Sequence, residues 1–133
     1  MRLSWKVLIV VLILLGGFFI YKNYNKNLIN KKDKKETVTL NLILKDHRFI
    51  PDTIVAPENT PIRIKVHNQD STVEEFESHD LKREKIVTPG ATITVRLAGL
   101  RPGEYKFFGE FHEDTALGKL IVKTEAEYES SLE

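Results

Sequence analysis

The chain has 133 residues, 41% hydrophobic and 29% charged, an ordinary globular composition with room for one domain and an appendage. It has no cysteine, which excludes disulfides, zinc–thiolate and iron–sulfur centres, thiol catalysis and any copper–thiolate centre. The net charge of +1 conceals a split: residues 1–36 carry eight Lys/Arg against two Asp/Glu and residues 37–133 twelve against seventeen, so with the positive charge off the folded part no nucleic acid is expected as a partner.

The first 24 residues, "MRLSWKVLIVVLILLGGFFIYKNY", are a short basic lead and then fourteen apolar or glycine residues from Val7 to Ile20. As a helix those fourteen span about 21 Å; adding Leu3, Ser4, Trp5 and Tyr21 brings the segment close to the roughly 30 Å of a bilayer core. Trp5, Tyr21 and Tyr24 fall where interfacial aromatics belong. Residues 1–24 are therefore expected to be a single N-terminal transmembrane helix kept as an anchor. A cleaved signal peptide is the rival, but no A-x-A-like site follows the apolar run. Six lysines follow the span (Lys22, Lys26, Lys31, Lys32, Lys34 and Lys35) against Arg2 and Lys6 before it. Counted alone, they would leave the remaining chain on the cytoplasmic side; as a tether they also suit anionic headgroups on the outer side. Residues 25–36 are basic, polar and without hydrophobic periodicity, the pattern of a linker.

From Thr37 the pattern has period two. Val38, Leu40, Leu42 and Leu44 alternate with polar residues, as do Ile62, Ile64 and Val66, then Ile93, Val95 and Leu97. "GEYKFF" and "GKLIVK" continue the series, and "PENTP", "HNQDS", "TPG", "RPGE" and "HEDT" supply turns. Short strands without intervening helices predict an all-β sandwich or barrel over residues 37–124, followed by an acidic, frayed tail at 125–133.

Two stretches concentrate possible metal ligands. In "VEEFESHD" (73–80), an extended backbone points Glu74, Phe76 and Ser78 one way and Glu75, Glu77 and His79 the other. In "GEFHED" (109–114), it places Glu110 and His112 on one face and Phe111 on the opposite one. Carboxylate plus imidazole suits iron, copper or zinc. Of the four histidines, His112 is the candidate ligand; His47, His67 and His79 read as surface residues. No phosphate loop, nucleophile elbow or paired nucleophile and base is present, so the chain is not expected to be an enzyme.

"FIPDTI" (49–54), "VHNQD" (66–70) and "PGEYKFFGEFHEDTALG" (102–118) together resemble a cupredoxin, a Greek-key β-sandwich whose closing loop supplies copper ligands. In that resemblance Glu74 takes the place of the first histidine, Gly109 the cysteine and Ala116 the methionine, while His112 keeps the second histidine. The runs "EEFESHDLKREKIVTPG" (74–90) and "LRPGEYKFFGEFHEDTALG" (100–118) are similar to the small membrane-tethered members of the EfeO-type cupredoxin-like group. This resemblance implies a metal-binding domain on the periplasmic side of the inner membrane, holding a transition metal, iron or copper, beside an iron permease. It makes Glu75 and Glu77, with Phe76 between them, candidate ligands alongside His112, Glu74 and Glu110. The alternative it leaves open is an interaction module whose decayed site docks a permease or another envelope partner.

Overall fold

The computed structural model describes residues 4–32 and 35–133, which divide into a helical unit up to residue 35 and a β unit from residue 36. The first unit is one helix, α1, Trp5–Lys32. Its stretch Trp5–Asn27 is long and apolar enough to cross a membrane. The helix continues past residue 24 into the segment whose composition suggests a linker. The physical reason is plain: "NKNLINKK" contains neither proline nor glycine, and extending an existing helix is far easier than nucleating one.

The β unit is a sandwich of two sheets. The first has the order β2–β1–β4–β7 and the second β3–β9–β8–β5–β6. The strands are β1 Val38–Lys45, β2 Arg48–Ile50, β3 Thr53–Pro57, β4 Ile62–Asn68, β5 Glu74–Ser78, β6 Arg83–Val87, β7 Thr92–Leu97, β8 Gly103–Gly109 and β9 Leu117–Lys123. β1 runs parallel to β4, and β3 parallel to β9; the other ladders are antiparallel. Alternation sets the register, because a slip of one residue would send every apolar side chain to solvent. Leu42, Leu44, Ile62, Ile64 and Val66 thus meet Phe76, Phe107, Leu120 and Val122 across the sandwich, all nearly free of solvent contact. Phe49, Phe76 and Phe107 pack ring against ring at 5.2 to 6.1 Å between centroids. Each such ring stabilises the fold by about 1.5–3 kcal/mol through burial. No buried side-chain nitrogen or oxygen among the described residues lacks a hydrogen-bond partner.

The acidic tail is not frayed throughout. Glu125–Ser130 form a short helix, α2, opened by a capping box in which Thr124 accepts from the Glu127 N–H and Glu127 accepts from the Thr124 N–H. The "TEAE" stretch carries the S/T-x-x-E signature of that motif. Its threonine and glutamate also hydrogen-bond side chain to side chain, and this holds the Glu127 carboxyl below its usual range.

Candidate metal centre

Three segments of the β unit converge on one cluster. The first is the β1–β2 turn, whose two central residues, Asp46 and His47, both adopt positive φ (51° and 55°), as a two-residue hairpin turn requires. Neither residue is glycine, so the conformation needs support. Asp70 gives it: its carboxylate accepts from the Asp46 N–H at 2.7 Å and the His47 N–H at 2.9 Å, and lies 3.5 Å from His47 Nδ1. Asp70 is placed in turn by Asn68, fully buried at the end of β4. The Asn68 side chain accepts from the Asp70 N–H and donates to the Thr72 and Val87 carbonyls.

The second segment is the start of β5. Glu74 is 1% exposed, and a carboxylate so deep is tolerated only with strong partners. It has three: Oε1 accepts from the N–H groups of Glu75 and Phe111, at 3.0 and 2.9 Å, and Oε2 from His112 Nδ1 at 2.6 Å. The third segment follows β8. "GEFHED" is not extended; Glu110–His112 form a single 3-10 turn, closed by the Gly109 N–H to Ala116 carbonyl and Ala116 N–H to His112 carbonyl bonds. The common face expected for Glu110 and His112 is therefore absent, because alternation ends at Gly109.

The outcome is a cluster of His47, Glu74 and His112, each offering a ligand atom within 4.8 Å of the others. The His47 and His112 rings stack at 3.6 Å with 12° between planes. Stacked imidazoles present their in-plane lone pairs side by side rather than at one point. Coordination of one ion by both therefore requires a ring to tilt, and His47, with its side chain 40% exposed against 30% for His112, is the freer. Two imidazoles and a carboxylate without sulfur do not fit a blue-copper centre; they fit a borderline divalent ion.

Gly109 and Ala116 flank this cluster. A Cβ at 109 would lie 2.7 Å from both the Ala116 Cβ and the Glu74 Cδ. Position 109 thus adjoins two others of the four positions aligned with cupredoxin ligands, 74 and 116, and glycine leaves the room that the glutamate carboxylate fills.

The other expected residues lie elsewhere. Glu75 and Glu77 project from the outer face of β5 and group with Glu84, which pairs with Glu77 from the neighbouring strand β6. Glu110 keeps company with Glu113, not with His112. Its carboxyl lies above the usual range, first through partial desolvation and then through repulsion from Glu113, Glu77 and Glu75. His79 is exposed beside Glu77 at 3.4 Å, and His67 meets Thr92 at 2.9 Å on the outer face of the other sheet. His47 was not legible as a ligand. Its one signal is the "KDHR" turn between alternating strands, and the "NQD" that holds it lies more than twenty residues away.

The family model for the cupredoxin-like domain matches residues 9–122, and the chain belongs to that family. It is 43% identical over 116 residues to the uncharacterized protein RP394 of Rickettsia prowazekii, covering 87% of this chain and 90% of that one. Among solved structures it is similar to the periplasmic domain of cytochrome oxidase subunit II (CoxB) of Bradyrhizobium japonicum, with TM-score 0.60, 13% identity and coverage of 71% of this chain and 90% of that one. Auracyanin A, a blue copper protein of Chloroflexus aurantiacus, aligns with TM-score 0.58 and 13% identity, covering 66% of this chain and 100% of that one. The metal-binding domain of the Cu(I)-exporting ATPase CopA of Streptococcus pneumoniae aligns with TM-score 0.58 and 13% identity, covering 67% and 97%. At such identities the likeness concerns the fold.

Proposed function

We propose that this protein is a membrane-anchored, extracytoplasmic metal-binding accessory of metal uptake, binding rather than transforming its ion. The observation that carries the reading is the His47–Glu74–His112 cluster, gathered where the family resemblance locates the metal. Without sulfur, the set favours divalent copper or iron over monovalent copper. Glu74 either joins the ion or orients His112 from behind through Nδ1, leaving Nε2 as the ligand, an outer-shell role carboxylates commonly fill. The apolar α1 supports the anchor, and the family resemblance supports the periplasmic side and an iron permease as partner.

The test is a thermal melt against Fe(II), Fe(III), Cu(II) and Zn(II). An ion that binds only the native state raises Tm by mass action, by about 2.7 kcal/mol of stability at a hundredfold excess over Kd. The shift should be selective, vanish in His112→Ala and weaken in His47→Ala. No shift with any ion would sink this reading. It would leave the second one, a docking module, which one observation favours: all of Glu74's hydrogen bonds are met by protein donors.

A further inference from the structure

We propose that the outer face of the β2–β1–β4–β7 sheet docks on an anionic lipid surface. Within a unit that carries more acidic than basic residues, the outward positions of these four strands hold Lys45, Arg48, Arg63, Lys65 and Arg96, all exposed, and no aspartate or glutamate. None of the five forms an ion pair among the described residues. Two like-charged pairs stand directly opposite each other, Lys45 with Arg48 and Arg63 with Arg96. Like charges across a ladder destabilise it, and an anionic surface relieves that repulsion. Beside them Ile43 and Ile50, cross-strand partners 37% and 50% exposed, give the face an apolar edge suited to the headgroup region. A cluster of acidic side chains lies on the other sheet, at Glu75, Glu77 and Glu84 on β5 and β6.

The choice of a lipid surface over another anionic partner rests on α1 being an anchor. Five residues separate Lys32, the end of α1, from Val38, the start of β1, and they reach about 20 Å at full extension. An anchored chain therefore tethers the β unit within reach of headgroups.

The β unit has its own core, and auracyanin A matches it as a whole chain, so residues 36–133 are tested alone and binding cannot come from the helix. Flotation is measured with vesicles of phosphatidylcholine, and of phosphatidylcholine with phosphatidylglycerol, at low and high salt. Binding is expected only with phosphatidylglycerol, declining with salt, and weaker by more than about tenfold in Arg63→Glu/Lys65→Glu, since each basic residue near such a surface contributes appreciably. Should that variant unfold, Arg63→Gln/Lys65→Gln and the salt series carry the test. Equal binding to both vesicles, none at low salt, or indifference to the substitutions overturns the proposal. So does salt-dependent self-association without vesicle binding, which would make the acidic strands of a second copy the partner. The metal-dependent melt reads a different site, so either inference can fail without the other.

Discussion

Glu74 is the residue on which the local chemistry turns. A lone ionised carboxylate in a protein interior is costly, and three donors, one of them an imidazole, make this one tenable. Gly109 is the other half of the arrangement. Gly109→Ala places a methyl within 2.7 Å of the Glu74 carboxyl carbon and the Ala116 side chain, and neither is free to retreat. We expect a loss of about 1–3 kcal/mol, the usual range for overpacking, read from urea unfolding. In a Glu74→Ala background the same change should cost markedly less, and a double-mutant cycle measures that coupling. Strict additivity would show that the two side chains do not compete for space. Glu74 and His112 were legible from sequence because motif spacing carries them. His47 was not, since its place depends on hydrogen bonds to Asp70 that no local pattern announces.

Among the elements, strand legibility followed alternation. β1, β4, β7, β8 and β9 were evident because one side of each is buried. β2 has only three residues, and β6 shows four exposed positions before one buried valine, so neither leaves a periodic trace. β6 nonetheless has a task at the sheet edge. Arg83 Nε donates to the Arg96 carbonyl at 3.3 Å and Lys85 Nζ to the Thr94 carbonyl at 3.2 Å. β7 is an edge strand of its sheet, and such edges invite pairing with other chains unless charged groups obstruct them. Arg83→Ala/Lys85→Ala should lower stability by less than about 1 kcal/mol per hydrogen bond yet increase self-association at high concentration in sedimentation velocity. A variant that stays monomeric would show that something else protects this edge.

For the whole molecule, composition and hydropathy were enough to separate an apolar helix from an all-β body, because the two parts differ in charge sign as well as in period. The sheet order escaped sequence, since parallel neighbours such as β1 and β4 depend on long-range closure. If α1 is an anchor, the full chain should stay with membranes through alkaline carbonate extraction at its full length; a soluble product lacking its first residues would identify a cleaved signal instead. The closeness of Glu74 to Gly109 also bears on any attempt to install a copper–thiolate site here. A cysteine at position 109 would meet the same crowding from the glutamate as an alanine there, and a histidine at 74 alone would find no thiol at 109 to complete a copper site. The two positions are thus coupled by packing, and neither substitution by itself leads towards a copper–thiolate site.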